Sequence, residues 1–147
     1  MSRMDPAHVL VDASALAALA DPAHEHHHQT VRAFDDLLER YRREEVLLVA
    51  VGSHLRHFEL GPSDGSAAAI WARVRWFVKR PHRGRFAPID PIHVGRQHRR
   101  LAARMHTHPH DPEFALTLVL CQRHRVQSVL ALDPRFASYD INLIALG

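Results

Sequence analysis

Two short apolar runs in this chain end on an aspartate. Val9-Leu10-Val11 leads into Asp12, and Val129-Leu130-Ala131-Leu132 leads into Asp133. An unbroken apolar run reads as a strand covered on both faces, as in a parallel sheet. If both strands run parallel, their carboxyl ends share one edge, and the two side chains project from it together. Carboxylates brought together repel and lose hydration, so a counter-charge is needed. A hard divalent cation held by carboxylates and retained water is the usual answer, Mg²⁺ above all. Such a cation lowers the pKa of bound water and neutralises charge on a phosphodiester, which is the chemistry of phosphate-ester cleavage. Asp12 has a second reading as a helix N-cap, because Ala13 to Ala20 is good helix-forming sequence directly behind it. On sequence alone the two readings stand level.

The elements needed to position these acids alternate along the chain. After the first strand and short helix, DPAHEHHHQTVRAFDDLLERYRREE places Val31, Phe34, Leu37, Leu38 and Tyr41 at helical spacing. VLLVAVG, residues 46 to 52, reads as a second strand, and SHLRHFEL as a short helix closed by Gly61 and Pro62. SDGSAAAIWARVRWFVKR is a further helix, FAPID at 86 to 90 a third strand, and PIHVGRQHRRLAARMHTH a basic helix with Pro91 at its first position. HDPEFALTLVLCQRHR opens with Asp111 as N-cap and Pro112 at the first helical position. QSVLALD and INLIAL supply the last strands, the second at an edge. The alternation predicts an α/β fold, a sandwich around one parallel sheet.

The 147 residues, 46% of them hydrophobic, suit one compact domain over 1–147 with its own core. No run of about eighteen apolar residues exists and no basic segment precedes an apolar signal core, so the expectation is a cytoplasmic protein with no membrane contact. The single cysteine, Cys121, lies in the apolar run FALTLVLC and reads as a buried structural thiol. Net charge is +3 with histidines neutral, which mildly favours an anionic partner. Cations concentrate between Arg73 and Arg104, with Asp90 the one acid among them. Arg73, Arg75, Lys79, Arg80, Arg99 and Arg100 would follow the phosphate backbone of an RNA; the same residues also read as solvated helix faces. Trp76 lies off the apolar face of its helix and is the one base-stacking candidate. His24, His27 and His28 share a helix face and suggest Zn²⁺, although the further fixed ligands of such a site are missing. No Gly-rich phosphate loop, Ser/His/Asp order or CxxC pair is present.

The opening VLVDASALAAL with its Asp-Ala-Ser triplet, the stretch DPAHEHHHQTVRAF, the late VQSVLALDPRFASYDINLIAL and the order of elements together resemble PIN domains. The resemblance is to the VapC type in particular, the ribonuclease toxins of bacterial toxin–antitoxin pairs. It spans nearly the whole chain and is carried mainly by the two ends. It implies a three-layer α/β sandwich with a central parallel sheet, a Mg²⁺ or Mn²⁺ site of three or four acids, and hydrolysis of RNA. It also implies a frequent homodimer and an antitoxin protein as partner.

Carried over residue by residue, the first acid of the family matches Asp12, and Ser14 the hydroxyl that orients it. The late strand-end Asp matches Asp133, with Ala131 where the family has a hydroxyl. The second acid falls at His57, and Glu59 lies roughly 200° around a helix from it. The third falls at Phe114, with Asp111 and Glu113 nearby. The expected metal set is therefore Asp12 and Asp133 with Asp111 or Glu113, unless His54 and His57 turn the preference toward Mn²⁺ or Zn²⁺. The leading expectation is a metal-dependent endoribonuclease with an incomplete acidic site. The alternative is a PIN scaffold that binds RNA or a partner protein without cleavage. RNA target, antitoxin identity and oligomeric state are not legible in the sequence.

Overall fold

The computed structural model describes residues 5–52, 89–105, 111–144 and 146. The readings that fall on 53–88 and 106–110, including the SHLRHFEL and Trp-containing helices, lie outside the described residues. Five parallel strands form one sheet in the order β3-β2-β1-β4-β5: β1 (Ala7–Val11), β2 (Val46–Val51), β3 (Ile89–Ile92), β4 (Val126–Leu130) and β5 (Asn142–Leu143). The helices are α1 (Ala13–Ala20), α2 (His27–Arg42), α3 (Arg96–Arg104) and α4 (Pro112–Arg123), with a 3-10 turn at Pro134–Ser138.

Alternation along the strands makes the two cores. Val9, Val11, Leu48, Ala50 and Leu130 pack with Leu16, Phe34 and Leu37 of α1 and α2 on one face. Leu10, Val49, Val51 and Val129 pack with Ala102 of α3 and the buried row Phe114 to Cys121 of α4 on the other. Each fully buried Leu or Phe contributes about 1.5–3 kcal/mol by leaving water. The expected three-layer α/β sandwich is therefore present. α4 is buried along eight consecutive residues, wider than an amphipathic stripe, because it also lies under the aromatic residues Phe136 and Tyr139.

Two boundaries differ from the sequence reading. Pro91 lies within β3, opposite Ala50, and not at a helix start; α3 begins at Arg96 after Gly95, whose amide donates to His98 Nδ1 at 3.0 Å. A proline is tolerated in β3 because that strand ends the sheet order, where a missing ladder donor costs least. INLIAL contributes only Asn142 and Leu143 as strand.

The connectivity decides where a site belongs. From β1 the chain moves outward through β2 to β3 on one side, then returns through α3 and α4 to β4 on the other side of β1. The order reverses between β1 and β4. In open parallel sheets the crevice outside the carboxyl ends of the strands opens at such a reversal.

Candidate functional site

Asp12 follows the last residue of β1 and caps α1, so its strand-end position and the N-cap reading hold in one geometry. Its Oδ2 accepts from the Ser14 amide at 3.2 Å and from the Ser14 hydroxyl at 2.7 Å. The same hydroxyl accepts from the Leu132 amide at 3.0 Å, while the Asp12 amide donates to the Leu130 carbonyl at 2.9 Å. Ser14 thus ties the end of β1 to the segment that carries Asp133. The other carboxylate oxygen of Asp12, Oδ1, has no protein hydrogen bond among the described residues.

Asp133 stands three residues beyond β4 and not at its end; it caps the 3-10 turn by accepting from the Arg135 amide at 3.0 Å. Asp111 caps α4, accepting from the amides of Glu113 and Phe114 at 3.1 and 3.2 Å. α4 reaches β4 through a two-residue turn, His124 and Arg125, so its N-terminus returns to the pole where the strands end. One side chain then joins the two caps. Arg135 donates from Nε to both oxygens of Asp133 at 3.1 and 3.0 Å and from Nη2 to Asp133 Oδ2 at 2.7 Å. The same Nη2 donates to Asp111 Oδ2 at 3.1 Å. The guanidinium carbon lies 4.2 Å from the centroid of the Phe114 ring, within cation–π range. Phe114 is itself fixed by Phe136 and Tyr139, at ring separations of 4.8 and 5.6 Å.

These contacts set the charge states. The Arg135 guanidinium holds the Asp133 carboxyl below the usual carboxylate range, against the opposing effects of burial and of Asp111. The Phe114 amide, with Arg135 adding, holds Asp111 below it too. Arg135 is raised in turn, chiefly by Asp133. The Cys121 thiol is pushed up to about 12 by burial, with the Asp12 charge adding, which keeps it protonated and inert at neutral pH.

The Glu113 carboxylate faces Arg99 at 3.5 Å across the α3–α4 contact, and both are exposed. Arg96, Arg99, Arg100 and Arg104 are all exposed, while Ala102 on the opposite side of α3 is buried. Arg73, Arg75, Lys79 and Arg80 lie outside the described residues, as do His54, His57, Glu59 and Trp76. The histidines at 24, 27 and 28 do not gather: the His27 Nδ1 is 2.7 Å from the Ala18 carbonyl oxygen, and its ring meets His28 edge-on.

A divalent cation, the group implied by the resemblance, does not fit the described residues as they stand. Among them no three of His, Cys, Asp or Glu are placed to share one ion, and Arg135 already bonds both Asp111 and Asp133, offsetting one of their two charges. Sequence reasoning missed Arg135. The signal was present in DPRF, since a Pro after an aspartate cap favours a tight turn that brings the residue two positions on back over the carboxylate.

The sheet order, the two helical layers and the pole at the β1–β4 reversal define a PIN-like α/β sandwich. Among solved structures the chain is similar to VapC20 of Mycobacterium tuberculosis, a sarcin-ricin loop cleaving toxin. The TM-score is 0.63 over 90% of this chain and 98% of that one, at 15% identity. At that identity the likeness is one of fold. No family model and no curated protein matches the chain.

Proposed function

We propose that this protein is a VapC-like endoribonuclease whose reaction takes place at the pole formed by Asp12, Asp111 and Asp133. The observation that carries the reading is the Ser14 bridge, which joins Asp12 Oδ2 to the Leu132 amide of the segment bearing Asp133 and leaves Asp12 Oδ1 open, at the reversal of the sheet. Acids at the strand ends, beside a helix with four exposed arginines, suit a polyanion whose backbone is held by cations while one ester is attacked. The fold shared with a sarcin-ricin loop cleaving toxin supports RNA as that polyanion. In this reading Ser14 fixes Asp12, Arg99 and Arg100 lie along the RNA backbone together with Arg73, Arg75, Lys79 and Arg80, and water is the nucleophile. Mg²⁺ or Mn²⁺ is the proposed cofactor, and its binding requires the acids to leave the Arg135-bonded arrangement described above. Glu113, turned to Arg99, is assigned to the basic surface and not to the cleavage step. The proposed partners are RNA, an antitoxin protein and a second copy of the chain. No helix among the described residues is long and apolar enough to cross a membrane.

Incubation of a mixed RNA pool with the purified protein and Mg²⁺ or Mn²⁺ tests the reading. Cleavage is expected, with a loss of about 100-fold or more in Asp12→Asn. An Asp12→Asn protein that cuts at the wild-type rate contradicts the assignment. An intact pool with folded wild-type protein leaves a scaffold that binds without cutting.

A further inference from the structure

Two carboxylates from segments 22 residues apart, Asp111 and Asp133, both bond the guanidinium of one residue of the chain itself, Arg135. We propose that Arg135 is a resident counter-ion of the acidic pole, so that a divalent cation reaches the Asp111–Asp133 pair only by exchange with the guanidinium. The inference deepens the functional reading given above, since it concerns the regulation of that same pole.

Three observations carry it. First, the guanidinium bonds leave little of the pair for another cation. Nε and Nη2 engage both oxygens of Asp133, the backbone amide of Arg135 is a second donor to Oδ1, and Nη2 reaches Asp111 Oδ2. The planar fork of arginine matches a carboxylate in a way a point charge does not. Second, the surface beneath the cation is built for a guanidinium. Phe114 offers a ring face 4.2 Å from Cζ, whereas a metal would require a lone pair that a phenyl ring does not supply. The ring is held in place by Phe136 and Tyr139, so the platform is rigid. Third, the clamp is open to water: the side chains of Arg135, Asp133 and Asp111 remain 27%, 23% and 37% exposed. Ion pairs at such exposure are exchangeable, unlike dry buried pairs, whose separation leaves an uncompensated charge. A long side chain at the mouth of the crevice can leave into solvent without disturbing the core. The depressed carboxyl of Asp133 is consistent with this arrangement, its main cause being Arg135 itself. Arg135 thus offsets part of the charge of the pole internally, and the pole recruits a dication only when Arg135 is displaced by mass action or drawn away by an anion such as an RNA phosphate.

The experiment is a calorimetric titration of Mn²⁺ into the wild type, Arg135→Gln, and Arg135→Gln combined with Asp133→Asn. Removing the internal cation is expected to tighten Mn²⁺ binding by about tenfold or more, and the added Asp133→Asn to abolish the gain. Equal affinity in wild type and Arg135→Gln overturns the proposal. Should Arg135→Gln fail to fold by circular dichroism, ¹⁵N spectra of the wild type decide. The Arg135 Nε–H signal is expected to be protected without cation and to move to a solvent-exposed position as Mg²⁺ saturates the Asp133 amide response. An Nε–H that stays unchanged through that saturation overturns the proposal. RNA cleavage by the same proteins separates the two readings. Tighter Mn²⁺ binding with no cleavage by any of them keeps the counter-ion and removes the ribonuclease, and cleavage without the gain in affinity does the reverse.

Discussion

One hydroxyl does two things at the pole: Ser14 donates to Asp12 and accepts from Leu132, whose own chain segment leads to Asp133. The first bond is local, two residues apart, and its pattern is legible in the Asp-Ala-Ser triplet. The second spans 118 residues and appears only when β1 and β4 pair. The same division explains Arg135. Its bonds to Asp133 follow from a tight turn, but its bond to Asp111 depends on the two-residue connection that returns the start of α4 to the strand ends. At this scale the charge states make a prediction. Asp111 and Asp133 both have carboxyls below their usual range when folded, so each binds fewer protons folded than unfolded. Their contribution to stability is therefore present above the unfolded carboxylate value, about 3.9, and is lost as pH falls below it through the folded values. Urea unfolding followed between neutral pH and the acid limit should show this loss in the wild type and a shallower one in Asp133→Asn. Identical acid slopes in the two proteins would refute the linkage.

Among the elements, the apolar runs announce the strands and the Asp-Pro step announces α4, because burial on both faces and capping leave marks in neighbouring residues. Pro91 is the instructive exception: the same residue suits a helix start or an edge strand, and only the pairing of β3 with β2 decides between them. Asp133 is similar, since QSVLALD carries no sign that the ladder stops at Leu130. The α2–β2 and α4–β4 turns each place a charged residue in the left-handed region, Glu44 at φ 61° and Arg125 at φ 54°, where glycine is the unstrained choice. Arg125 is exposed, so relief of the backbone strain outweighs the added freedom of the unfolded chain. Arg125→Gly should stabilise the protein by about 0.5 kcal/mol, read as a rise of about 1–2 °C in Tm. A fall in Tm would show that the side chain supports the α4–β4 turn.

For the whole molecule, the reversal of strand order between β1 and β4 sets two strand ends far apart in sequence side by side. Alternating strands and helices made the sandwich legible, and the bond from Leu132 to Ser14 brings the segment of the late aspartate to the start of α1, as neighbouring parallel strands allow. The composition of the pole was less legible, because a phenylalanine and an arginine complete it where acids were looked for. The central claim is that RNA is hydrolysed at this pole with water as nucleophile, and the chemistry of the fragment ends tests it most directly. RNA cut by the wild type should carry 5′-phosphate and 3′-hydroxyl ends, and such ends should disappear with Asp12→Asn. Fragments bearing 2′,3′-cyclic phosphate, or 5′-phosphate ends formed equally by Asp12→Asn, would contradict it.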